Sequence, residues 1–161
     1  MNAFLNDLNQ YEQTLMKKIC SDKDIVSLLT DNENPNVPDK TLMYTKVFPF
    51  AYIPDTVQEA SSFITFTITV PRVYNSLVKE VIITIDIITH ESLMRTKQGK
   101  RTTLIATAMD KLFNGSKDLG ICKMDLVSVG IDIPNREYHT RRLIYSIDDW
   151  NRVNKYYEPV V

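Results

Sequence analysis

The sequence predicts an α+β fold: a mostly antiparallel β-sheet with a helix packed on one face and an N-terminal helix pair. Three observations lead there. Phe4, Leu8, Tyr11, Leu15 and Ile19 recur at helical spacing. Residues 63–70 and 81–88 are β-branched and aromatic, the composition of strands. A second helical stripe, Leu104, Ile105, Ala108, Met109 and Leu112, divides those two runs from two later strand-like segments, giving the order β-β-α-β-β. The 161 residues suit one domain, 1–161, with helices in 1–30, the α+β core in 45–150 and a tail in 151–161.

The first helix is expected over about residues 3–20. A shorter one follows, with Ser21 or Asp22 as its cap and Ile25, Val26, Leu28 and Leu29 as its apolar side. Residues 31–38 are rich in Asn, Asp and Pro and read as a loop. Residues 47–54 are aromatic but interrupted by prolines, which cannot donate to a central ladder, so they read as an edge strand or an extended arm.

In the next run Ile64, Phe66, Ile68 and Val70 share one face, threonines fill most of the other, and Pro71 is expected to end the strand. The run 81–88 is apolar on both faces, which predicts a central strand covered on two sides. The helix after it must lie on the sheet, and Asn114-Gly115 can close it in a left-handed cap. Strands over about 122–129 and 141–147 are separated by residues 130–140, where Pro134-Asn135 supplies a turn.

Composition excludes several functions. Lys plus Arg number 19 against 20 Asp plus Glu, so no global positive field draws the chain onto nucleic acid or an anionic membrane. Nothing approaches the length of apolar sequence that a membrane span needs, and the protein is expected to be made and kept in a cytoplasm. Cys20 and Cys122 form neither a CxxC nor a Cys/His pattern, and both are expected to be reduced core residues.

No catalytic, metal or cofactor site assembles from the motifs. Gly99-Lys100-Arg101-Thr102-Thr103 opens a helix as a phosphate-binding loop would, but Met94 stands where that motif needs a second glycine. His90-Glu91 lacks the partner histidine four residues on, a position Met94 also holds. Asp86 and Asp125 are candidate paired carboxylates for Mg²⁺, as in a nuclease, although Lys123 precedes Asp125 instead of following it; the plainer reading makes Asp86 a surface or interface residue of its strand.

Two surfaces are candidates for contact with partners. Arg95, Lys97, Lys100 and Arg101 form the densest positive patch; it reads either as a solvated loop or as a contact for DNA phosphates or an acidic neighbouring subunit. Trp150, Tyr156 and Tyr157 sit in a polar C-terminal setting, as an arm for another subunit or as a tail packed on its own domain.

Residues 48–56, 90–96, 109–116 and 145–151 are similar to small neck proteins of tailed bacteriophages of Gram-positive hosts, the tail terminators and head-tail connectors. The resemblance spans about residues 45–152. It implies a sheet with helices on its face, a homo-oligomeric ring, hexameric by the same resemblance, with no enzymatic activity and no cofactor. The implied partners are the tail tube protein and the head-tail connector protein, with passing contact to DNA, no membrane, and a place in the virion after assembly in the host cytoplasm. A tail terminator is the leading expectation. The alternatives are a Mg²⁺-dependent phage nuclease or recombination protein using Asp86 and Asp125, and a small adaptor that binds a protein through the edge strand near residues 46–53.

Overall fold

The computed structural model describes residues 5, 7–30, 38–53 and 59–151. Four helices, α1 (Asp7–Ser21), α2 (Lys23–Leu29), α3 (Asp39–Leu42) and α4 (Arg101–Phe113), accompany seven strands. These are β1 (Val47–Phe48), β2 (Ser62–Val73), β3 (Val78–His90), β4 (Arg95–Thr96), β5 (Gly99–Lys100), β6 (Asp125–Asp132) and β7 (Tyr138–Trp150). Five strands form one sheet in the order β1-β2-β3-β7-β6, antiparallel except for the parallel β1-β2 pair, while β4 and β5 make a separate small hairpin. The expected α+β architecture and N-terminal helix pair are both present.

The first helix starts at Asp7, later than the expected residue 3, and Phe4 lies outside the described residues. Tyr11, Leu15 and Ile19 are buried as the stripe requires. Asp22 caps α2 by accepting a hydrogen bond from the Ile25 amide at 3.0 Å, which satisfies one of the donors a helix start leaves open. The expected loop at 31–38 lies outside the described residues apart from Pro38.

All three longer helices lie on one face of the sheet. There Ile64 and Phe66 of β2, Val81, Ile83, Ile85 and Ile87 of β3, and Leu143, Tyr145 and Ile147 of β7 meet Leu15 and Ile19, Ile25 and Leu29, and Ile105, Met109 and Phe113. The Phe113 and Tyr145 rings pack edge to face, and the Tyr145 hydroxyl donates to Asp110 Oδ1 at 3.2 Å. Burial, and then the Asp110 charge, raise the pKa of that phenol. The left-handed residue after α4 is Gly115, at φ 77°, a conformation that glycine adopts without strain. Gly120 is needed for closeness as well: a Cβ there would stand 2.6 Å from the Asp148 carbonyl oxygen.

The other face of β3 departs from expectation. Among the described residues no helix covers it; Ile82, Thr84 and Asp86 are half-buried, and the end near His90 is closed by Phe48, Phe63, Ile88, Tyr138 and Tyr52. The Phe48 and Tyr52 rings stack with centroids 4.3 Å apart, so the proline-interrupted segment is an edge strand of two residues followed by an arm folded over the sheet. Pro71 does not end β2 either. A register shift between Thr69 and Arg72 absorbs it, at a sheet margin where its missing N–H is not required. The strand expected over 122–129 lies three residues later, because the ladder of β6 starts at Asp125 and continues through Gly130 to Asp132, and β7 is longer than the expected 141–147.

A buried cation closes one end of the core. Lys79, whose side chain is 0% exposed, donates to Asp7 Oδ2 at 2.8 Å, and Asp149 stands directly across from Lys79 in the ladder. The pair fixes the start of α1 against the start of β3. Removing Asp7 takes one charged hydrogen bond from a buried ammonium that keeps Asp149 across the ladder, so Asp7→Ala is expected to lower unfolding free energy by about 2 kcal/mol in denaturant titration. Ile85→Asp, at a fully buried core position, should cost more than about 4 kcal/mol and leave no cooperative transition by circular dichroism.

Candidate functional site

The segment between β3 and α4 is more ordered than a polar connection. A 3-10 turn, Glu91–Leu93, is capped by His90, whose Nδ1 accepts from the Ser92 amide at 3.2 Å; Nε2 lies 3.9 Å from Glu137. The hairpin of β4 and β5 then turns at Lys97-Gln98, where the Thr96 hydroxyl donates to the Gly99 carbonyl at 2.8 Å and accepts from the Gln98 amide at 3.2 Å. Arg95 and Lys100 are directly opposed across it. Like charges so placed repel, and with Lys97 at the turn they leave three exposed cations on one small projection, a surface suited to an anionic partner.

Arg101 does not belong to that surface. It is 9% exposed; its Nε donates to the Leu93 carbonyl at 2.8 Å, a terminal nitrogen donates to the Leu28 carbonyl, and its backbone amide donates to the Met94 carbonyl at 2.8 Å. Its guanidinium therefore clamps the C-terminal end of α2, the 3-10 turn and the start of α4 together. The expectation of a contact residue fails because a guanidinium can satisfy several carbonyls that end a helix and a turn. Beside the clamp lies a groove of 620 Å³ bordered by Asp24, Leu28, Lys97, Leu104 and Lys111.

The far end of the sheet is chemically different. Trp150, the last residue of β7, pairs with Val78 at the beginning of β3 and is 45% exposed; Leu77 and Tyr74, in the adjoining turn, are exposed as well. The turn is set by Asn75, whose side-chain oxygen accepts from the Leu77 and Val78 amides at 2.7 and 2.9 Å. Asn151 anchors the chain there through its amide to the Leu77 carbonyl at 2.7 Å. Tyr156 and Tyr157 lie outside the described residues. As β3 separates the basic hairpin from Trp150, the two clusters stand about 40 Å apart, at roughly 3.3 Å per residue of strand.

The candidate carboxylates are not brought together. Asp86 accepts two hydrogen bonds from Arg142, Nε to Oδ1 at 2.7 Å and a terminal nitrogen to Oδ2 at 2.9 Å, and Asp132 lies 3.8 Å from the same guanidinium. The Asp86 hydrogen bond raises the pKa of Arg142. Asp125 is exposed and pairs in register with Ser146, four residues along β7 from Arg142 and on the far side of that strand from β3. The two groups are therefore more than about 10 Å apart, too far to share an ion. Among the described residues no group of three or more His, Cys, Asp or Glu side chains is placed to hold a metal ion. Cys20 is buried as expected, but Cys122 is exposed, because it lies in the irregular segment before β6.

One surface was not legible as a candidate. Val127, Val129, Ile131 and Ile133 are 60, 50, 75 and 62% exposed along the margin strand β6. Their alternation was the available signal; reading Gly130 as the beginning of a turn cut the row in half.

The different roles of the basic residues are separable. Arg101→Glu should lose about 2–3 kcal/mol of stability through two abandoned buried carbonyls and an inserted carboxylate. Lys97→Glu and Lys100→Glu, at exposed positions, should each stay within about 0.5 kcal/mol of the parent, all read from chemical denaturation.

No helix among the described residues is long and apolar enough to cross a membrane. No curated protein matches the chain. Residues 22–147, from the cap of α2 to the last core residue of β7, match the YomW family, and the chain belongs to that phage-related family.

Proposed function

We propose that this chain is a structural protein of a phage neck, a tail terminator that forms a ring of identical subunits, caps the tail tube and offers a docking surface to the head connector. The observation that carries the reading is the polarity of the fold along β3. One end projects Arg95, Lys97 and Lys100 on a hairpin, and the other exposes Tyr74, Leu77 and Trp150.

A joining protein must hold two different partners at once, and two chemically distinct ends on a rigid sheet supply that without any conformational change. The cationic end suits an acidic subunit surface or passing DNA phosphates, and the aromatic end suits an apolar recess on a protein. Membership in a phage-related family agrees with this setting. In this reading the protein needs no cofactor and performs no chemistry; its work is complementarity of surfaces, in the assembled virion.

Electron microscopy of the purified protein, alone and with tail tubes, tests the proposal. Rings seated on tube ends are expected. A particle that remains monomeric with tubes present, or Mg²⁺-dependent cleavage of DNA that Asp86→Ala abolishes, would overturn it. Lys97→Glu with Lys100→Glu should leave the fold intact and reduce the yield of joined virions, counted as plaques; equal yields would remove the hairpin from the account.

A further inference from the structure

The helix layer does not reach the margin of the sheet. α4 lies over β3 and β7, and of β6 Leu126 packs against that core while Val129 and Ile131 are exposed. Val129 pairs with Leu143 and Ile131 with Arg141; Leu143 is in the helix-side core and Arg141 reaches Thr103 of α4, so both residues point to the helix side, with Ile133 following at the same period. Val127 occupies the register shift between Leu126 and Ser128. The outer edge of this strand, residues 125–132, pairs with no strand among the described residues.

Natural sheet margins are normally protected by lysine, proline, shortness or cover. Residues 125–133 contain no Lys, Arg or Pro, and four of their five branched aliphatic residues are exposed. Such a margin is built to be covered by something.

The opposite margin is open in a complementary way. β1 pairs with Ile64 and Thr65 on one side and is bridged at Val47 by Met43 on the other, and beside it Tyr44, Phe50 and Ile53 are 62, 47 and 70% exposed. This side carries Lys40, Arg72 and Lys46, the last held by the Ser61 hydroxyl and the Phe63 ring, with one acid, Glu59, nearby in sequence, whereas the β6 margin carries Asp125 and Asp132. Two β6 edges paired with each other would gather four aspartates on one ribbon, with only Arg142 beside each Asp132, which disfavours a symmetric dimer.

Register adds a geometric constraint. Val47, Ile64, Ile87, Arg141 and Ile131 follow one another in a single row across all five strands. The two apolar margins therefore sit at the same level along the strand direction. A head-to-tail contact between unlike margins closes into a ring where its rotation divides a full turn, the condition that the ring reading requires.

We propose that β6 of one copy docks against the β1 margin of the next copy, with Val129, Ile131 and Ile133 meeting Tyr44, Phe50 and Ile53. The inference rests on the ring reading above and names its subunit interface. The partner is a second copy of this chain, bound through unlike surfaces.

The test uses the full chain. Val129→Lys with Ile131→Lys, both exposed, should keep the parent's circular dichroism and a cooperative unfolding transition while light scattering falls from a ring mass to the 18.6 kDa of one chain. In a Cys122→Ser background, Ile131→Cys mixed with Phe50→Cys should give disulfide dimers under mild oxidation, and neither variant alone should. Rings that persist in the double lysine variant would overturn the interface and leave the ring reading standing. Dimers from Ile131→Cys alone would overturn the head-to-tail arrangement in favour of a symmetric one. A monomeric parent that binds tail tubes through β6 would give the edge to another partner and overturn both.

Discussion

The sheet is wider than the helix layer that covers it, and most of what is distinctive about this chain depends on that mismatch. Five strands present a face that α1, α2 and α4 cover over β2, β3 and β7. Where cover exists, burial of branched aliphatics, at roughly 25 cal/mol per Å² of apolar surface, supplies the driving force. Where it stops, at β6, the same residue types remain and face water. A single chain has no gain from that row, which sets contiguous exposed aliphatics on a long strand edge apart from scattered ones and is the ground for the subunit contact proposed above.

Two buried cations hold the narrow helix layer in place, and they do so differently. Lys79 is a point charge joined to Asp7, so it ties α1 to β3 through an ion pair. Arg101 has a planar fork and instead collects backbone carbonyls, Leu28 and Leu93, that α2 and the 3-10 turn leave unsatisfied. The first closes the end near Trp150 and the second closes the end near the basic hairpin. The helix layer is thereby pinned at both ends of β3, which keeps the two exposed clusters at a fixed separation.

Sequence patterning reached the elements with strong periodicity and failed where a residue's meaning depends on a neighbour in space. The stripe of α1, the cap at Asp22, the central position of β3 and the closing glycine of α4 were all legible, because each is local. Pro71 was read as a stop since proline cannot donate to a ladder, yet at a margin no donation is asked of it. Gly130 was read as a turn although its ladder partner, Arg142, keeps it in a strand. Arg101 was grouped with its basic neighbours in sequence, but the helical start turns it inward toward carbonyls from residues 28 and 93. The apolar second face of β3 suggested cover by helices, whereas Thr84 and Asp86 are served by cross-strand partners and partial exposure.

The two proposed properties constrain one another. If copies join edge to edge at one level, every basic hairpin comes to the same rim of the assembly and every Trp150 to the opposite rim, because both are fixed to the ends of β3. Three cations on one subunit form a weak, salt-sensitive contact. Repeated around a closed ring they act together, and a second contact made within an assembly is effectively intramolecular, so modest single-site affinities multiply. Weak individual surfaces are then sufficient for firm joining, and a monomer that binds little by itself is compatible with a ring that binds well. On the ring reading the uncovered β6 edge is the controlling feature, because it gathers weak single-subunit surfaces into one rim.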